Sequence, residues 1–81
     1  MKLALAILLE LRTSGKFPIR QKLLLANVRI ALNEPPTDEE FFQEIAELVK
    51  IGQVAILPNE DTGARYLISS LGEARLIRAG L

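Results

Sequence analysis

The chain has 81 residues, room for one domain, and 49% of them are hydrophobic, at the upper end for a soluble domain. Ten Lys and Arg balance ten Asp and Glu, so a net charge of zero gives no global pull toward nucleic acid or an anionic membrane. The absence of Cys and His removes disulfides, the usual zinc ligands and the commonest bases and nucleophiles, so neither catalysis nor a metal or other cofactor is expected.

A domain of this size is marginally stable on its own and depends on tight packing, self-association or both. A chain without Cys fits a reducing compartment, which makes the cytoplasm the expected location. Met1-Lys2 followed by an apolar run imitates a signal peptide, but Glu10 and Arg12 interrupt the run and no small-x-small cleavage site follows. The run is also too short to span a membrane, and no membrane association is expected.

Residues 2–13 read instead as a first helix. Ala and Leu favour helix, and Ala4, Ile7, Leu8 and Leu11 recur at helical spacing, with Leu5 and Leu9 beside them. Ser14-Gly15 is a stop. Pro18 suits the first turn of a second helix reaching about Leu32, with Leu23, Leu24, Val28, Ala31 and Leu32 as its buried set. Asn33-Glu34-Pro35-Pro36 ends that helix, because two prolines cannot continue it.

Thr37-Asp38-Glu39-Glu40 has capping-box spacing and opens a third helix running to about residue 51. Phe41, Ile45, Leu48 and Val49 face inward there, with Phe42 beside them, and Gly52 ends it. Gln53 to Pro58 reads as a strand with Val54 and Ile56 on one face. Residues 59–63 form a turn cluster, and Ala64 to Ser69 returns as the second strand of a hairpin. Ser69 or Ser70 caps a fourth helix, Ser70-x-x-Glu73 having capping-box spacing, and Leu71, Ala74 and Ile77, joined by Leu76, make its apolar face. The fold class is therefore mostly α with a small β-hairpin (α+β), one domain over 1–81.

That order of helix, helix, helix, strand, strand, helix resembles the winged helix-turn-helix superfamily, and part of the resemblance lies in particular residues. Leu48-Val49-Lys50-Ile51-Gly52-Gln53-Val54 looks like a recognition helix passing through glycine into the first wing strand. Tyr66-Leu67-Ile68-Ser69-Ser70-Leu71-Gly72 is similar to a pattern frequent in small bacterial and archaeal winged-helix transcriptional regulators, and Leu76 follows where those proteins often place a Leu. The Tyr and the aliphatic would pack the second strand on the core, the hydroxyl would cap the last helix, and the Gly would allow close approach at its first turn. The resemblance spans nearly the whole chain. It implies DNA binding first, with the third helix in the major groove and the wing on the backbone. Winged helices also serve RNA binding and protein contact, so the site itself must decide.

Zero net charge hides segregation. Residues 1–29 carry six cations against Glu10, a net +5; residues 34–61 carry eight acids against Lys50, a net −7; residues 62–81 come to +2. The outward positions of the third helix would be Glu39, Glu40, Gln43, Glu44 and Glu47. Phosphates repel such a row, and DNA affinity normally depends on Lys and Arg neutralising them. The row is either a solvated helix face with a favourable N-terminus or an acidic surface for a protein partner.

Two functions follow. The first is a small DNA-binding regulator, dimeric, in which Thr37 and Gln43 approach bases while Arg65, Arg20 and Lys22 hold phosphates. The alternative is a winged-helix interaction module that meets a protein partner through Glu39, Glu40, Glu44 and Glu47, or through apolar terminal helices. The family resemblance places the first narrowly ahead; the charges favour the second. Each charged set has a plain alternative: Arg65 could pair with Glu60 or Asp61, and the basic residues of the second helix could pair with acids of the third. A surplus of apolar residues at the termini makes Leu5, Leu9, Leu76 and Leu81 the expected homodimer interface. Carboxylate pairs fall at capping positions and no Gly-rich phosphate loop is present, so no small-molecule substrate is indicated.

Overall fold

The computed structural model describes residues 1–59, 61 and 63–81. Its elements are α1 (Leu3–Ser14), β1 (Ile19–Arg20), α2 (Gln21–Ala31), α3 (Asp38–Lys50), β2 (Val54–Leu57), β3 (Arg65–Ile68) and α4 (Ser70–Arg78). The strands form one antiparallel sheet in the order β1-β3-β2, with Ile56 opposite Tyr66 on one side of β3 and Ile19 opposite Tyr66 on the other. This is an α+β fold of helices packed beside a small sheet.

The core is one cluster in which Ile7, Leu8 and Leu11 of α1 meet Leu24 and Val28 of α2, Phe41 and Leu48 of α3, and Leu76 of α4, all fully buried. The apolar spacing of α1 and α3 puts those residues on one face of each helix, and the helices form because burying that face outweighs their ordering cost. α1 contacts α2, α3, α4 and β3, so the rest of the molecule is built around it. Among the described residues no helix is long and apolar enough to cross a membrane.

The capping box of α3 forms as its sequence dictates. The Thr37 hydroxyl accepts from the Glu40 amide at 3.1 Å, and the Thr37 amide donates to Glu40 Oε1 at 2.9 Å. Gly52 follows α3 at φ +80°, a backbone state that a side chain would strain, and turns the chain into β2.

Three expectations are corrected. Pro18 lies before a strand, not in a first helical turn: Ile19 and Arg20 are drawn into the sheet by pairing with Tyr66 and Arg65, and α2 begins only at Gln21. This shifts the buried face of α2 to Leu24, Leu25 and Val28, leaving Ala31 and Leu23 exposed. Val54 and Ile56 share a face of β2 as expected, Val54 buried and Ile56 half-exposed at the cleft between α3 and the hairpin. The fourth helix is also rotated from its expected face. Gly72 rests against the Gln53 carbonyl, Ile68 and Leu8 so tightly that a Cβ there would collide with the backbone oxygen. That contact sets the orientation of α4, brings Leu76 four residues on into the core, and turns Leu71 and Ile77 (71% exposed) outward.

The cap of α4 is Ser69, whose hydroxyl accepts from the Gly72 amide at 3.2 Å and donates to the Gly52 carbonyl at 2.6 Å; the Ser70-x-x-Glu73 box does not form, since Ser70 is already helical. The expected dimer surface on the terminal helices is thinned by the same packing. Leu76 lies inside the core, where no partner can reach it, and Leu5 and Leu9 are partly covered against that core. Leu81 keeps some exposure, with its carbonyl accepting from Arg12 at 3.0 Å.

Candidate functional site

Three of the five residues expected to touch nucleic acid come together. Arg20, Lys22 and Arg65 line one open groove, bounded by the end of α1, by β1, by the first turn of α2 and by the returning strand of the hairpin. Arg20 and Arg65 reach it from residues far apart in sequence because β1 pairs with β3 and sets them directly opposite each other. Like charges at opposed positions repel by a few tenths to about 1 kcal/mol, so an anion placed between them would be favoured. No Asp or Glu lines the groove among the described residues.

Burial of the Arg65 Nε, which has no acceptor among the described residues, typically costs about 1–3 kcal/mol and leaves only the outer guanidinium nitrogens to meet a ligand. One further feature makes the groove receptive to an oxyanion. The N-terminus of α2 also faces the groove. Its N-cap residue, Arg20, makes no side-chain cap and its first turn holds no acid, so nothing on the helix itself answers its first amide donors or the positive end of its dipole. Arg65 makes no ion pair with Asp61, and Glu60 lies outside the described residues.

Thr37 and Gln43 are elsewhere. The Thr37 hydroxyl is committed to capping α3, and the Gln43 amide donates to Glu39 at 3.4 Å, on a helix face also carrying Glu40, Glu44 and Glu47. The box also holds the Glu40 carboxyl below its ordinary value, chiefly through the Thr37 amide and then the Thr37 hydroxyl. The expected pairing between second-helix cations and third-helix acids occurs only at Arg29 among the described residues. Arg29 bridges Asp38 and donates to the Pro36 carbonyl at 3.1 Å. Arg20 and Lys22 make no ion pair among the described residues.

Two residues that the sequence reading passed over matter here. Phe17 lines the basic groove and is 79% exposed, although an apolar residue between Lys16 and Pro18 in a short connection was a visible sign. Gln21 accepts from the Tyr66 hydroxyl at 3.3 Å and borders two further clefts, one between α2 and α3 and one between α3 and the hairpin. The second of these is lined by Phe42, Ala46, Val49, Ile56 and Tyr66, whose hydroxyl is pushed above its ordinary pKa by burial. Phe42 is held edge-on to the buried Phe41 ring, centroids 5.8 Å apart, and remains 42% exposed. One continuous face thus runs from the acids of α3 across an apolar strip to Gln21 and on to the basic groove. Comparison of the chain with protein-family models, with curated proteins and with solved structures matches nothing, so the chemistry of this face alone argues for what it does.

Proposed function

We propose that this chain is a winged-helix domain that holds a nucleic-acid duplex by its phosphate backbone, as a small DNA-binding regulator would, and that it acts by binding without catalysis. The observation that carries this reading is the groove of Arg20, Lys22 and Arg65: three cations from two segments, the β1–α2 junction and β3, with no acid lining it among the described residues, over a helix start that lacks a side-chain cap. The element order, the Ser69 cap and the close approach at Gly72 support the winged-helix assignment.

The reading differs from the usual use of that fold at its central element. The face of α3 that would enter the major groove presents Glu39, Glu40, Gln43, Glu44 and Glu47, which phosphates repel. Contact therefore runs through the start of α2 and the wing, and it is largely indifferent to base sequence. Binding to mixed duplex DNA across a salt series tests it. Affinity should be measurable at low salt and fall steeply as salt rises, and Arg20→Ala and Arg65→Ala should each lower the slope of log affinity against log salt by about 1. Absence of binding at low salt, or unchanged slopes in both variants, sinks the proposal.

A second reading, an interaction module meeting a basic protein surface, is favoured by the acids of α3 and by the exposed Phe42 and Ile56 beside them.

A further inference from the structure

The face described above is ordered by charge. The outer side of α3 carries Glu39, Glu40, Glu44 and Glu47 against Lys50 at its C-terminal end and is acidic on balance; Phe42, Val49 and Ile56 form an apolar strip on the side toward the hairpin, and Arg20, Lys22 and Arg65 lie beyond Gln21 on the far side. Large apolar side chains at this exposure in a contiguous strip mark a surface that is covered by something. A strip flanked by acids on one side and by cations on the other is complementary to itself. Rotated by a two-fold axis through the strip, the acidic ridge of one copy meets the basic ridge of the other, while the apolar centres meet each other. A generic basic or acidic partner would satisfy one ridge and be repelled by the other.

From this charge complementarity we infer that a second copy of the chain docks on the α2–α3–hairpin face, with Phe42 and Ile56 at its centre. The inference stands apart from the phosphate-binding reading, because self-association is measured with no nucleic acid present. It also relocates the dimer from the terminal helices, where Leu71 and Ile77 sit six positions apart on different sides of α4 and do not make one patch.

Complementary charge reversal tests it. Sedimentation velocity should show the wild-type chain as a dimer at low salt and a monomer at high salt. Glu39→Lys with Glu47→Lys makes both ridges basic, and Arg20→Glu with Arg65→Glu makes both acidic; each double variant should self-associate about a hundredfold more weakly. An equimolar mixture of the two should regain the dimer, because every ridge then meets its opposite. Far-ultraviolet circular dichroism checks that each variant is folded, and Ile56→Glu, outside the core, gives an independent route to a monomer. A wild-type chain that stays monomeric at low salt overturns the proposal. So does a mixture of folded variants that fails to associate, or a dimer that survives Ile56→Glu.

Discussion

Single side chains carry several jobs at once in this chain. Thr37 shows the consequence most clearly. As a polar residue at the start of a helix that resembles a recognition helix, it suits contact with a base, yet its hydroxyl is used to satisfy the Glu40 amide. Thr37→Ala should therefore lower stability by about 0.5–2 kcal/mol, read from a thermal or urea melt, and leave duplex affinity nearly unchanged. The Glu40 carboxylate completes the box, and the box holds its pKa below the ordinary 4.5. A depressed carboxyl pKa means that its stabilising contribution is present above the unfolded value and is lost as pH falls through the folded one. The wild-type chain should lose stability on acidification below about pH 4.5 more than Glu40→Gln does; an identical decline in both would remove Glu40 from the account. Arg65 has the opposite character: its Nε is buried with no acceptor among the described residues, which costs stability.

At the scale of elements, the decisive one is the two-residue strand β1. It is too short to show any alternation, and it exists because β3 offers it a pairing edge. Through that pairing it delays the start of α2 to Gln21, leaves the helix without a side-chain cap, and sets Arg20 against Arg65. α4 is oriented by contact in the same way. Its sequence reads as one apolar face of Leu71, Ala74, Ile77 and Leu76, and the fit of Gly72 against Gln53, Ile68 and Leu8 turns Leu76 inward and the other two large residues outward. The inward and outward residues predict different energetics. Leu76→Ala should cost about 2–5 kcal/mol, whereas Ile77→Ala should stay within about 0.5 kcal/mol. Comparable losses at both positions would mean that α4 is rotated from the orientation described. Two polar ties hold this corner together: Ser69 donates to the Gly52 carbonyl, and Arg75 donates to Gln53 Oε1 at 2.9 Å.

For the whole molecule, the zero net charge conceals a dipole laid across a single face. A phosphate backbone and a second copy would both use Arg20, Lys22 and Arg65, so the two partners exclude each other. Phe42→Ala removes the apolar anchor while leaving every charge in place. At protein concentrations where the wild-type chain is dimeric, this variant should bind a short duplex more tightly than wild type in a fluorescence anisotropy titration. Equal affinities would show that self-association leaves the cations free.

By itself the sequence determined whatever depends on neighbours within a turn or two of chain. The extents of α1 and α3 follow from helical spacing of apolar residues and the Gly stops, the capping box from Thr37 and Glu40 three apart, and the hairpin from two apolar runs around a turn cluster. The segregation of charge is also legible there, and it already set the acids of α3 apart from a DNA-reading surface. The tertiary structure alone decided β1, the faces of α2 and α4, the burial of Leu76, and the meeting of Arg20 with Arg65 across 45 residues of chain. Each of these rests on a contact between distant segments: a strand accepted at the edge of β3, or a glycine pressed onto another segment's carbonyl. Local propensity is silent on such contacts, because their free energy comes from packing and pairing that exist only after the chain has closed on itself.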